Sequence, residues 1–216
     1  MISDKRIIIL CGHYGSGKTN IAVNLAFALK KKYQTIALAD LDIVNPYYRS
    51  KDAAAILSNA EIKLISSAFA NTHLDIPALP QEIYSITDDK NFRFVLDVGG
   101  DDRGALALGR IAKDIKDENN YDMLFVVNMY RPLTRTAIDA IAIMHEIENA
   151  CRLKFTAIVN NSNLGVETTP QTILNSLSYA EEISSLTKLP IAFTSVCEGL
   201  FDGLKEEISD IFYLTI

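Results

Sequence analysis

Seven short runs of β-branched and aliphatic residues recur along this chain: RIIILC (6–11), TIALAD (35–40), IKLIS (62–66), FRFVLD (92–97), MLFVVN (123–128), FTAIVN (155–160) and IAFTSV (191–196). Most are apolar at consecutive positions, not at alternate ones. A strand with one wet face alternates, whereas a strand apolar on both faces must be covered from both sides, as parallel strands are. Helical patterns fill the intervals. In KTNIAVNLAFALKKK, Ile21, Leu25, Ala28 and Leu29 share one face, and Lys30, Lys31 and Lys32 suit a helix C-terminus. In PLTRTAIDAIAIMHEIENAC, Pro132 falls in the opening turn, and Ile138, Ile141 and Met144 follow helical spacing. Strand–helix alternation predicts an α/β fold: a doubly wound, mostly parallel sheet of about seven strands, with helices on both faces and right-handed crossovers. No repeat or low-complexity linker divides the 216 residues, so one domain over 1–216 is expected. A chain of this length buries about 70% of its unfolded surface.

One stretch departs from the alternation. Residues 66–91, SSAFANTHLDIPALPQEIYSITDDKN, hold two prolines and little periodicity, and a long irregular connection in a compact domain reads as a functional loop or lid.

Composition narrows the function classes. The formal charge is −6 and no block of lysine or arginine stands out. DNA and anionic lipid both require clustered positive charge, so neither is expected as the main partner. The tail LFDGLKEEISDIFYLTI carries an apolar stripe through Leu200, Leu204, Ile208, Ile211 and Phe212, but Asp202, Glu206, Glu207 and Asp210 stand against one lysine. That sign is wrong for a lipid surface, and the stripe is expected to pack on the sheet. Cys11, Cys151 and Cys197 lie far apart and form no C-x-x-C pair, which fits free thiols in a reducing compartment. The apolar stretch near the N-terminus is too short for a signal peptide, and no run approaches the roughly 20 residues of a membrane span. A cytoplasmic location follows as an expectation.

The chemistry concentrates in three segments. Gly12, His13, Tyr14, Gly15, Ser16, Gly17, Lys18 and Thr19 spell G-x-x-x-x-G-K-T between a strand and a helix, the context a phosphate cradle requires. Glycines let backbone N–H groups wrap phosphate oxygens, and a helix N-terminus adds partial positive charge. Lys18 is expected to reach the β- and γ-phosphates, and Thr19 to ligate Mg²⁺. In FVLDVGG, Asp97 closes an apolar run and begins a D-x-x-G pattern, where Gly100 can offer its N–H to a γ-phosphate. In LADLDIVNP, Asp40 and Asp42 lie two apart at a strand end, hence on one side. Such a pair suits magnesium-water coordination and orientation of a nucleophile.

Taken together, GHYGSGKTNIAVNLA, ALADLDIVNP and FVLDVGG resemble the MinD/ParA-like branch of P-loop nucleotide-binding proteins over the first hundred residues. The resemblance implies ATP and Mg²⁺ as ligands, with Lys18 and Thr19 as phosphate and magnesium residues. It implies that Asp40 holds the metal's water shell, Asp42 positions the hydrolytic water, and Asp97 is the second-motif carboxylate. It also implies an adenine-reading asparagine at the end of a late strand, where IVNNSN offers Asn160 and Asn161, whose amides match adenine's donor–acceptor edge. The chain departs from the family at His13, which stands where the MinD/ParA loop has a lysine that crosses a homodimer. An imidazole is shorter than lysine and is no permanent cation, so lysine exchange in a homodimer is not expected. A homodimer that uses another cation stays open, with Arg49 either that cation or a solvent-exposed helix arginine.

Three functions remain open on the sequence. The leading one is a slow ATPase acting as a nucleotide switch. The second is a small-molecule kinase or ATP-dependent ligase, with an acceptor pocket in residues 43–90 that includes Tyr47, Tyr48, Arg49 and His73. The third is an ATPase acting on an unidentified protein partner. N-K-x-D, a guanine-reading motif, is absent from NNSN, which favours ATP over GTP.

Overall fold

A computed structural model describes residues 4–41, 51–66, 81–100 and 102–215, with the side chains of 51–53, 66, 81–82, 102–103 and 201 left aside. Eight strands are described: β1 (Ile7–Cys11), β2 (Ile36–Asp40), β3 (Lys63–Ser66), β4 (Arg93–Asp97), β5 (Tyr121–Val127), β6 (Ala157–Asn160), β7 (Ile191–Cys197) and β8 (Ile211–Leu214). They form one sheet in the order β3-β2-β4-β1-β5-β6-β7-β8, and every adjacent pair is parallel. The seven expected runs each match a strand to within two residues at either end.

The eighth strand corrects the reading of the tail as a continuous apolar stripe. Glu198–Gly203 is a 3₁₀ segment. Leu204 and Ile208 do share one buried cluster with Ile173 and Val196, through a single turn in which the Leu204 carbonyl accepts from Glu207 N and Ile208 N at 3.1 Å each. Beyond it, β-branched and aromatic side chains of Ile211–Leu214 extend the sheet. Asn24 of the first helix fixes that end, since its Oδ1 accepts from Thr215 N at 2.8 Å.

Eight α-helices are described: α1 (Lys18–Lys30), α2 (Lys51–Asn59), α3 (Ser85–Asp88), α4 (Asp102–Gly109), α5 (Ala112–Glu118), α6 (Ala137–Cys151), α7 (Pro170–Leu174) and α8 (Leu177–Thr187). Strand side chains alternate between two cores. Ile8, Leu10, Leu38, Val95, Leu124 and Val126 meet Ile21, Leu25 and Leu29 of α1 and Leu57 of α2. Ile7, Ile9, Phe94, Leu96, Phe125 and Val127 meet helices α4, α5, α6 and α8 on the opposite face. Covering from both sides explains why the strands read as unbroken apolar runs.

Helix α6 begins later than expected. Pro132 opens a separate 3₁₀ turn, Pro132–Thr134, and Thr136 caps the helix by accepting from Asp139 N at 3.2 Å. Ala137, Ala140, Met144, Glu148 and Cys151 are its buried residues, while Ile138 is 66% exposed.

At the opposite edge from the strand C-termini, Arg6 is buried against Glu118. The guanidinium donates through two nitrogens to both carboxylate oxygens and to the carbonyl of Ile86 at 2.7 Å. These bonds hold the Glu118 carboxyl below its usual range, and Lys90 adds to the effect.

Candidate functional site

The site lies where the strand order changes direction. From β1 the chain passes outward to β2 on one side, while β5 to β8 succeed one another on the other. Ligands in open parallel sheets bind beyond the strand C-termini at such a point. Here the loop after β1 occupies it.

Glycine is required at both ends of that loop. A Cβ on Gly12 would lie 2.2 Å from the Val126 carbonyl of β5, so the chain leaves the sheet through a gap only glycine can pass. Gly17 holds φ +84° and forms the N-cap of α1 without any side-chain cap, and a Cβ there would lie 2.2 Å from Asn161 Nδ2. The N-terminus of α1 opens directly on this loop, and helix N-termini offer backbone N–H groups and partial positive charge to anions. Within the loop, the His13 carbonyl accepts from Ser16 N at 3.1 Å and from Lys18 Nζ at 3.1 Å. The His13 ring bonds the Tyr14 carbonyl at 2.9 Å.

Loop carbonyls are held from the two neighbouring strands. Arg131, just past β5, donates through Nε to the Gly15 carbonyl at 2.8 Å. Asn161, just past β6, donates through Nδ2 to the Ser16 carbonyl at 2.6 Å, while its Oδ1 accepts from Ser195 Oγ of β7 at 2.5 Å. With these outward carbonyls satisfied, the loop amides keep their orientation for phosphate. Ser16 Oγ is buried and lacks a hydrogen-bond partner among the described residues.

On the other side of β1, Asp40 and Asp97 are register partners at the ends of β2 and β4. Thr19 Oγ1 donates to Asp97 Oδ2 at 2.6 Å, and Asp97 is buried. Among the described residues no group of three or more His, Cys, Asp or Glu could hold a metal ion alone. A hydroxyl with two carboxylates is the sparse oxygen set Mg²⁺ uses when substrate phosphates complete its shell. The donor set therefore fits magnesium.

The glycine pair after Asp97 is packed against the loop. A Cβ on Gly100 would lie 2.5 Å from Tyr14 N, and one on Gly104 of α4 would lie 2.7 Å from the backbone of Gly99. Loop, D-x-x-G segment and α4 thus touch backbone to backbone.

A cavity of about 770 Å³ spans these parts, within the range that encloses a small-molecule ligand. Its lining includes Tyr14, Gly15, Gly17, Lys18, Thr19, Asp40, Asp97, Arg131 and Asn161, and continues to Thr168, Ile173, Cys197 and Leu200. Asn160 does not line it: its amide donates to Ser176 Oγ at 2.9 Å and its Oδ1 accepts from Ser162 N at 3.2 Å. Asp42, the NPYYRS segment (45–50) with Arg49, and His73 with most of the 66–91 loop fall outside the described residues. Arg131 and Ser195 were not legible in the sequence. Arg131 follows a strand-end Asn-Met-Tyr with no motif, and only the pairing of β1 with β5 brings it to the loop.

The chain matches the profile of the CobQ/CobB/MinD/ParA nucleotide binding domain over residues 7–184. No curated protein matches it in sequence. Among solved structures it is similar to the cell division protein FtsY of Thermotoga maritima, with a TM-score of 0.58 at 16% identity, covering 88% of this chain and 61% of that one. It is also similar to chloroplast FtsY of Physcomitrella patens, with a TM-score of 0.57 at 16% identity over 93% and 61% of the two chains. FlhF complexed with GTP/Mg(2+) gives a TM-score of 0.52 at 13% identity over 89% and 66%. At these identities the likeness is one of fold, and this chain spans about 61% of the length of FtsY. No described helix is long and apolar enough to cross a membrane.

Proposed function

Because the chain belongs to the CobQ/CobB/MinD/ParA nucleotide-binding family, we propose that it is a cytoplasmic, Mg²⁺-dependent ATP-binding protein of one domain that hydrolyses ATP slowly as a nucleotide switch. The observation that carries the choice of base is how the cavity's charges are sorted. Asp40 and Asp97 are the only carboxylates among its described lining residues; they are register partners at the ends of β2 and β4, where Asp97 accepts from Thr19. A guanine edge presents two adjacent N–H donors and calls for a carboxylate. Toward β6 and β7 the lining offers amides, hydroxyls and aliphatic groups such as Asn163, Thr168, Ser195 and Leu200, which suits adenine's single donor and acceptor.

Each residue then has a defined task. Lys18 leaves the His13 carbonyl to meet the β- and γ-phosphates. Thr19, whose hydroxyl is bonded to Asp97, would hold Mg²⁺ together with Asp97 and Asp40. Bound Mg²⁺ supplies neutralisation of charge developing on the phosphate oxygens. Asp42 orients the attacking water, by its position two residues after Asp40. Gly100 meets the γ-phosphate through its N–H, and the packing of the adjacent Gly99 on Gly104 of α4 passes the presence of that phosphate outward. A protein partner would read α4 and its neighbours.

Calorimetric binding and steady-state turnover with ATP and GTP test this reading. ATP is expected to bind at least about tenfold more tightly than GTP, which is about 1.4 kcal/mol. Turnover is expected without any acceptor, and Lys18→Ala should lose binding. Equal binding of GTP would end the ATP reading, and unchanged ATP binding by Lys18→Ala would end the site itself. Turnover that starts only on adding an acceptor would favour the kinase or ligase reading. On size exclusion, an ATP-driven shift to a dimer would show that a homodimer forms through a cation other than a lysine at the position of His13.

A further inference from the structure

The strand order divides the cavity into two halves. β2 and β4 bring Asp40 and Asp97 to one side of the phosphate loop, and β5, β6 and β7 bring Arg131, Asn161 and Ser195 to the other. Arg131 therefore stands across the loop from the magnesium carboxylates. Its Nε is moored to the Gly15 carbonyl at 2.8 Å. A Cβ on Gly15 would lie 3.3 Å from Arg131 Nε and 3.4 Å from its Cζ, so the guanidinium lies against the loop at Gly15. Its Nη1 and Nη2 make no hydrogen bond or ion pair with the described residues, although the side chain is exposed and lines the cavity. The cavity's lining also includes the aliphatic side chains of Val166, Ile173, Leu200 and Leu214 among its amides and hydroxyls, and its one aromatic ring among the described residues, Tyr14, sits in the loop itself.

A guanidinium is planar, always charged and weakly hydrated, and it stacks on aromatic faces. The phosphate cation is already supplied by Lys18. We propose that Arg131 is a base clamp: anchored to the Gly15 carbonyl, it lies against one face of the nucleobase and closes that half of the cavity over it. This rests on the nucleotide reading of the same site. Arg131 is a positioning and specificity residue, and it makes the loop's grip on phosphate and the cavity's grip on the base parts of one rigid unit.

Binding of Mg·ATP and of inorganic tripolyphosphate to wild type, Arg131→Ala and Arg131→Lys separates base from phosphate. Arg131→Ala also releases the Gly15 carbonyl, so it is expected to weaken both ligands, and to weaken ATP about tenfold or more beyond its effect on tripolyphosphate. Arg131→Lys keeps the charge and a donor for the Gly15 carbonyl, so it should match wild type on tripolyphosphate and recover ATP binding only in part. An intermolecular NOE between an adenine ring proton and the Arg131 Hδ protons is expected in the wild-type complex. Equal fold-losses for ATP and tripolyphosphate would overturn the clamp, leaving Arg131 with the loop and the phosphates alone. No loss for ATP, or an absent NOE in a saturated complex, would overturn it too. If Arg131→Ala fails to fold, Arg131→Lys carries the same comparison. Loss of the broader nucleotide reading is distinguishable, since it shows in Lys18→Ala and leaves the Arg131 ratios undefined by any binding at all.

Discussion

Replacing Asn161 by aspartate exchanges one atom in the bond that holds the phosphate loop. The amide Nδ2 lies 2.6 Å from the Ser16 carbonyl, Oδ1 accepts from Ser195 at 2.5 Å, and the residue is 3% exposed. In Asn161→Asp an ionised oxygen would face the Ser16 carbonyl oxygen, and only the protonated acid can donate to it. Burial and repulsion from the carbonyl both favour the neutral form. A rise of about 2–3 units from the unfolded value of about 3.9 follows. The folded-state pKa is raised, so the variant is least impaired below the unfolded value and loses stability as pH rises through the folded one. At about pH 8.5 the loss is about 3–4 kcal/mol at 1.36 kcal/mol per unit. At about pH 6 roughly 1 kcal/mol of it has returned. Asn161→Ala leaves two buried groups unpaired at a cost of about 2–3 kcal/mol that does not change with pH. Urea unfolding of the nucleotide-free protein at the two pH values, each variant measured against wild type, supplies the comparison. Wild-type stability for Asn161→Asp at pH 8.5, or an equal loss at both pH values, would refute the reasoning, because the amide would then not be what holds the loop.

Gly17→Ala forces a Cβ to 2.2 Å from Asn161 Nδ2 at φ +84°; calorimetry should show no nucleotide binding, and denaturation a loss above about 2 kcal/mol. Glu118→Gln strands the buried Arg6 guanidinium. Glu118 keeps 12% of its side-chain surface exposed, so about 2–3 kcal/mol is expected, less than for a fully buried pair. Because the Glu118 carboxyl sits below its usual range, the pair's contribution is present above about pH 4.3 and fades as pH falls through the folded value. Acid titration of wild type against Glu118→Gln should therefore show the two curves converging at low pH. A thiol reagent should label Cys197, which is exposed, and spare Cys11 and Cys151, where burial pushes both thiols up. ATP should slow the labelling of Cys197, since that residue lines the cavity; an unchanged rate would place the nucleotide elsewhere.

Much of the fold was legible because its code is local. RIIILC and its six counterparts are apolar on both sides, and that pattern belongs to strands buried under helices whatever their order. The tail was less legible. Leu200, Leu204, Ile208 and Ile211 have helix-like spacing, yet Gly203 and the β-forming Ile211–Leu214 divide them between a turn and an edge strand. Pro132 misled for a related reason: it suits either the first turn of a helix or a turn before one, and the cap at Thr136 chooses between them.

The sequence by itself determined the phosphate loop, its lysine and threonine, and the strand-end aspartates, because each rests on contacts between near neighbours or on the conformational needs of a few adjacent residues. Gly12 and Gly17 announce a backbone that must turn sharply and admit close neighbours. What the sequence could not contain is which strands lie side by side. Pairing β1 with β4 and β5, and β5 with β6, sets Asp97 beside Thr19 and brings Arg131 and Asn161 onto consecutive loop carbonyls from 116 and 145 residues away. Neither contact has a signature in neighbouring residues. Two asparagines adjacent in the chain also parted by this means: successive residues leaving a strand face opposite ways, so Asn160 turned inward to Ser176 and Asn161 to the cavity. That choice depends on register, and register is a property of the assembled sheet.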